Sequence, residues 1–303
     1  MWGDLDPRSM DDRARESSDP RAAGSRDPRD VFAEGLDLPH GPDRERVHER
    51  GHDYDLRGSE VRALATIGAF RVVAVDDLRD ERGRSLDIWQ GDLERLKTAG
   101  LVQIVAPLDR SERTSAVTLT DHGRQLLEHH RNTDREPHQR YYAGVLRARE
   151  LSHDTQLFRA YVKSAERLCA EGARIQRVVL DYELKREYQQ FLQARNRDRS
   201  DSDGRPDRSR EEVQRWADEH RLPVLEDRVQ FPDVRIEYER ADGRRDIEDV
   251  EVTTPHYRGA HAAAKARAGF TRFRGTGGRV GGRTGRSGGR SGSDPGLAEE
   301  LLE

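Results

Sequence analysis

Apolar residues along the chain fall into separate periodic patches, and their spacing predicts two folded regions between polar ends. Val61, Leu64, Ala65 and Ile67 recur at the steps of one helical face, with Ser59 placed to cap that helix and Gly68 to end it. Val75 to Leu78 reads as a short second helix. Leu86, Trp89, Leu93 and Leu96 share one face of a third, starting near Leu86 and stopped by Gly100. Leu101–Val105 and Ala116–Leu119 are short β-branched runs on either side of a charged turn, and a further helix begins at Thr120. Three helices followed by a two-stranded wing is the order of a winged helix-turn-helix, here over residues 56–135.

The second region, 151–273, opens on the clearest helix of the chain. Leu157, Phe158, Tyr161, Val162, Ala165, Leu168 and Cys169 form its apolar face, and Ser152 is a candidate N-cap. A strand over 175–180, a helix over 182–194 and a short helix over 211–220 follow. Two strands, 229–239 and 246–253, are joined by Ala241-Asp-Gly-Arg, in which Asp-Gly is a hairpin signal. A helix from about Gly259 to Phe270 closes this region. The expected fold class is therefore α+β, a winged helix followed by a restriction-endonuclease-like α/β domain.

Composition sets the limits of these regions. Only 33% of residues are hydrophobic and 37% are charged, too polar for the whole length to pack. Residues 1–53 read as a disordered charged arm, with 31–39 (VFAEGLDLP) able to dock locally. Residues 195–210 read as a mobile loop. Residues 274–303 read as an Arg/Gly/Ser-rich disordered tail, six Arg and no acid lying between Thr271 and Ser293. With one cysteine, Cys169, neither a disulfide framework nor a cysteine zinc site is available. No apolar run suits a membrane span and MWGDLDPRSMDD has no signal-peptide pattern, so a cytoplasmic protein is expected.

Of the 54 basic residues only Lys97, Lys163, Lys185 and Lys265 are lysines. Arg suits phosphate and base edges, although a GC-rich genome enriches it as well. The net charge of -4 makes any nucleic-acid footprint local. In a winged helix the third helix enters the major groove and the wing meets the backbone. Gln90, Arg95 and Lys97 on that helix, with Arg110 and Arg113 in the wing, are the candidate DNA contacts. Asp87, Asp92 and Glu94 would repel phosphate if they faced the groove, and a protein-interaction module is the competing reading.

The segment Phe231-Pro-Asp-Val-Arg-Ile-Glu-Tyr and the later Asp246-Ile-Glu-Asp-Val-Glu-Val-Thr-Thr254 bring a second chemistry into view. A Pro-Asp opening one hairpin strand and a Glu on its partner can bring Asp233 and Glu251 together as oxygen ligands for Mg²⁺. This resembles the PD-(D/E)xK nuclease pattern, with Thr253 where that pattern has Lys; Lys265 on the next helix is the candidate replacement. The order Pro232, Asp233, Glu251, Thr254, Lys265 after a winged helix also resembles the replication-relaxation family of plasmid and mobile-element proteins, over about residues 56–273. The resemblance implies DNA as partner, together with a relaxase or replication protein, and a role in replication or mobilisation of a plasmid or integrative element. A metal-dependent endonuclease or nickase using Asp233, Glu251 and Lys265, and a winged-helix transcriptional regulator, are the alternatives. Asp233 and Glu251 can equally do no more than orient a hairpin. His153-Asp154 reads as a helix cap, Tyr141, Tyr142, Tyr182 and Tyr257 as packing residues, and Cys169 as core. His256 and His261 flank a turn without a His-x-His metal motif.

Overall fold

Two sheets of different size share a single core, and the fold is α+β. The computed structural model describes residues 27–80, 84, 86, 87, 90–105, 115–133, 138–145, 151–195, 208–253 and 267–275. In chain order these form a 3-10 turn (Asp30–Phe32), β1 (Glu45–Glu49), β2 (His52–Leu56), α1 (Gly58–Phe70), β3 (Val72–Ala74) and a second 3-10 turn (Val75–Asp77). Then come α2 (Gly91–Thr98), β4 (Val102–Val105), β5 (Ala116–Leu119), α3 (Asp121–His129) and α4 (Leu151–Ala170). The rest is β6 (Arg174–Leu180), α5 (Asp181–Gln193), α6 (Arg210–Glu219), β7 (Val224–Leu225), β8 (Arg228–Val229), β9 (Val234–Glu239), β10 (Arg245–Thr253) and β11 (Thr271–Arg274). No described helix is long and apolar enough to cross a membrane.

The first sheet has the order β3-β5-β4, with both neighbours antiparallel to β5. Helices α1, α2 and α3 all touch it. The start of α1 is not capped by Ser59. The Glu60 carboxylate accepts the Arg57 amide at 3.1 Å, while the Ser59 hydroxyl turns away to donate to Asp92 Oδ2 at 2.5 Å. Nor does Gly68 end the helix. A Cβ there would meet the side chains of Leu119 and Tyr141 at 2.9 Å, so this glycine serves close packing inside the helix. The helix runs on to Phe70. Helix α2 begins at Gly91, later than the apolar spacing from Leu86 implied. Gly91 has φ +71, a backbone that breaks any continuous helix at that point. Leu86 lies outside the helix, its amide bonded to the Leu78 carbonyl at 3.2 Å, and Trp89 lies outside the described residues. Thr120 does cap α3, accepting the Gly123 amide at 3.1 Å.

The second sheet has the order β11-β10-β9-β6. β6, β9 and β10 are antiparallel, with an irregularity between Ile175 and Arg177, and β11 is parallel to β10. The Asp242-Gly243 turn joins β9 to β10 as its sequence implied, Gly243 taking φ +81. Helix α4 lays Phe158, Tyr161, Ala165 and Leu168 against Ile236, Val250 and Val252. Ser152 sits inside α4 rather than before it. A smaller cluster around Val179, Leu184, Trp216 and Leu222 joins α5 and α6 to β6.

The main core is continuous from Phe32 to Val252. The Phe32 ring lies 5.4 Å from Phe70 of α1 and 5.2 Å from Tyr161 of α4, and Phe70 lies 5.2 Å from Phe158. An ion pair of 2.5 Å between Asp77 and Arg159 ties the second 3-10 turn to α4. Residues 27–53, expected to be disordered, are therefore part of the fold. Phe32, Leu36 and Leu38 are too sparse to make a core alone, but all three are buried in the shared core, Phe32 between α1 and α4. In the β1–β2 hairpin Val47 pairs with Tyr54, and these two with Glu49 and Leu56 are the buried residues, with exposed polar residues between them. A second correction concerns Thr271–Arg274, where no strand was expected and whose last residue was counted in the tail. It forms β11, fixed by pairing Val250–Thr253 with Thr271–Arg274, and the Thr253 hydroxyl donates to the Phe273 carbonyl at 3.2 Å. Residues 196–207 of the expected loop, and 259–266 of the expected last helix, lie outside the described residues, as do 254–258 before it.

Candidate functional site

The first candidate surface is the outer face of α2. Leu93 and Leu96 are buried against α1 and β4, and this turns Gln90 and Arg95 to solvent. Of the three acids that would oppose DNA, Asp92 is turned inward and only 5% exposed. It accepts from Arg57 at 2.5 Å as well as from Ser59. Glu94 pairs with Lys97 at 3.0 Å, and Asp87 accepts from Gln90 at 3.1 Å. The face therefore presents Arg95 as an exposed cation, with Lys97 shared with Glu94. Arg110 and Arg113 of the expected wing lie outside the described residues.

The second candidate is the carboxylate pair. The β9–β10 ladder ends where Val234 pairs with Val250; Asp233 is the residue just before β9 and Glu251 the next residue of β10, and the Asp233 amide donates to the Val250 carbonyl at 3.1 Å. Both residues thus lie next to the Val234–Val250 pair that ends the ladder. Neither side chain is open: Asp233 is 8% and Glu251 2% exposed. Asp233 Oδ2 accepts the Val252 amide at 2.8 Å and lies 3.4 Å from His153 Nε2. On its other side, His153 Nδ1 lies 3.4 Å from Asp154. Burial opposes charge on this imidazole, but hydrogen bonds to Asp154 and Asp233 outweigh it and raise its pKa to about 10.

An imidazolium therefore stands against Asp233 where a cation would be expected to bind. Among the described residues no group of three or more His, Cys, Asp or Glu converges as a metal site. The donor set does not fit Mg²⁺ as arranged, since Asp233 Oδ2 is already engaged by His153 and the Val252 amide. Thr253, at the third motif position, is tied to β11, and Lys265 and Thr254 lie outside the described residues.

His153 was legible only as a helix cap, because its partner Asp233 is 80 positions away in the chain. It opens a cleft of about 500 Å³ that also takes Arg71, Asp154, Asp181, Tyr182, Lys185 and Asp233. Arg71 comes from the end of α1, the others from α4, from the junction of β6 and α5, and from the start of β9. Lys185 pairs with Asp181 one helical turn earlier, a spacing visible in the sequence. Arg71 carried no such signal.

The tyrosines behave as packing residues: Tyr141 donates to the Phe32 carbonyl at 2.6 Å, and Tyr142 meets Tyr182 edge-on at 4.6 Å. Burial pushes the phenols of Tyr141, Tyr142 and Tyr182 well above their ordinary value. Cys169 packs half-buried at the edge of the core. His256, Tyr257 and His261 lie outside the described residues. No protein-family model matches this sequence, and no curated protein or solved structure matches it.

Proposed function

We propose that the chain is a DNA-binding protein whose first half is a winged helix that reads DNA through α2. The observation that carries this reading is the inward turn of Asp92. By pairing with Arg57 and Ser59 it removes a negative charge from the outer face of α2 and leaves Gln90 and Arg95 outward. The helix order and the antiparallel β4–β5 pair behind α2 support the same reading, since a winged helix sets its third helix in the major groove. On the resemblance described above, the role is that of an accessory or regulatory factor in replication or mobilisation of a plasmid or integrative element, acting beside a relaxase or replication protein. A transcriptional regulator would use the same face.

A second reading, a metal-dependent nuclease, is supported by the sheet order β11-β10-β9-β6 and by Asp233 and Glu251 both lying beside the Val234–Val250 pair that ends the β9–β10 ladder. The contact of Asp233 with His153 speaks for a nuclease-like scaffold used for binding rather than cleavage. The test is duplex binding by fluorescence anisotropy over a series of salt concentrations. Arg95→Ala lowers affinity, and if the lost contact is to phosphate the salt slope falls by about one. Unchanged affinity and slope in Arg95→Ala and in Gln90→Ala would remove α2 as the DNA-binding element.

A further inference from the structure

Arg71 lies in the cleft between the halves and is used neither by the α2 face nor by the Asp233–Glu251 pair. It follows α1 directly with φ 67 and ψ -49, on the side of backbone space that residues with a Cβ avoid. That backbone places the guanidinium carbon 4.4 Å from the centre of the Tyr182 ring and 5.4 Å from that of Tyr142. Such strain persists where the surrounding fold enforces it, and it gathers at binding sites.

The charges of the cleft are unevenly shared. Lys185 is matched by Asp181, and His153 by Asp154 and Asp233. Arg71 has no carboxylate at ion-pair distance among the described residues, and its buried Nε has no acceptor there. The guanidinium fork is shaped for phosphate oxygens, and stacking on a ring fixes its plane before a ligand arrives. The first turn of α5, which lines the cleft through Asp181 and Tyr182, has no side-chain cap. A volume of about 500 Å³ has the size of a site for one nucleotide and is too small for a duplex.

We propose that this cleft takes the phosphate-bearing end of a single nucleic-acid strand, with Arg71, oriented on the Tyr182 ring, holding the terminal phosphate. The proposal rests on the nucleic-acid reading above but on different residues, so the two can fail separately. The site is built by both halves of the chain, since Arg71 belongs to the end of α1 and Tyr182 to α5.

The experiment uses the full-length protein and a short fluorescent single strand, with and without a 5′-phosphate, read by anisotropy. The phosphorylated strand binds about tenfold more tightly, the worth of a charge-assisted hydrogen-bonded contact. Arg71→Gly suits the backbone at this position, and circular dichroism and duplex affinity confirm that it folds. In that variant the preference for the phosphorylated strand disappears while duplex affinity is kept. Arg71→Lys restores part of it, since an ammonium keeps the charge but not the fork. Equal binding of the two strands by the wild type, or an unchanged preference in Arg71→Gly, overturns the proposal. A free nucleoside monophosphate that competes as well as the strand shows a nucleotide site and overturns the strand-end assignment. Loss of duplex binding in Arg95→Ala beside an intact phosphate preference separates the two surfaces.

Discussion

His153 Nε2 stands 3.4 Å from Asp233 Oδ2 and joins the first turn of α4 to the entry of β9. Because its partners raise the imidazole pKa from 6.5 to about 10, the folded state holds this proton more tightly than the unfolded chain. The stabilisation is complete below pH 6.5 and is lost as the pH climbs through about 10. Urea denaturation at a series of pH values in that window measures it. The slope attributable to one proton is at most about 1.4 kcal/mol per pH unit, and it vanishes in His153→Gln. The same slope in both proteins would place the proton elsewhere.

Divalent metal provides a check on the same pair. With Asp233 already engaged by His153 and by the Val252 amide, Mg²⁺ leaves the thermal midpoint unchanged and supercoiled plasmid stays intact. A metal-dependent rise in midpoint that Asp233→Ala abolishes, together with nicking, would restore the nuclease reading.

The N-terminal segment carries a larger stake in stability than its composition implies. Phe32 is 1% exposed between Phe70 and Tyr161. Phe32→Ala costs about 3–5 kcal/mol in chemical denaturation. Because both sheets share this core, the loss falls on one cooperative transition. Two transitions, with only one of them shifted, would show that the halves unfold independently.

Asp92 and Arg95, three residues apart, separate stability from binding. Asp92→Ala leaves the Ser59 hydroxyl without its acceptor and Arg57 without its carboxylate, and costs about 1–3 kcal/mol. Arg95→Ala, on the exposed face of α2, stays within about 0.5 kcal/mol of the wild type and shows its effect only in DNA affinity. Denaturation and anisotropy on the two variants decide this, and a stable Asp92→Ala protein would contradict the inward pairing.

What could be read from the chain alone follows the range of the interaction. The apolar steps of α4 and the Asp242-Gly243 turn are local, and the structure has both. The antiparallel pairing of β9 with β10 was legible because a hairpin turn sets register between neighbouring strands. Leu86 was misplaced because its spacing is helical while Gly91 breaks the helix between it and Leu93. Contacts between distant parts left no trace. Nothing near Phe32 foretells Tyr161, nothing near His153 points to Asp233, and Arg71 becomes a cleft residue only when α1 ends beside α5.

The parallel pairing of β11 has a consequence for synthesis. β10 is complete at Thr253, yet its outer edge is covered only once Thr271–Arg274 has been made and has returned beside it. While the chain grows, that edge offers unpaired amides and carbonyls to any extended segment nearby. The chain's vulnerable interval therefore runs from the synthesis of Thr253 to that of Arg274. Stalled or clipped chains ending before Thr271 would be prone to edge-to-edge association even with both halves of the core already packed.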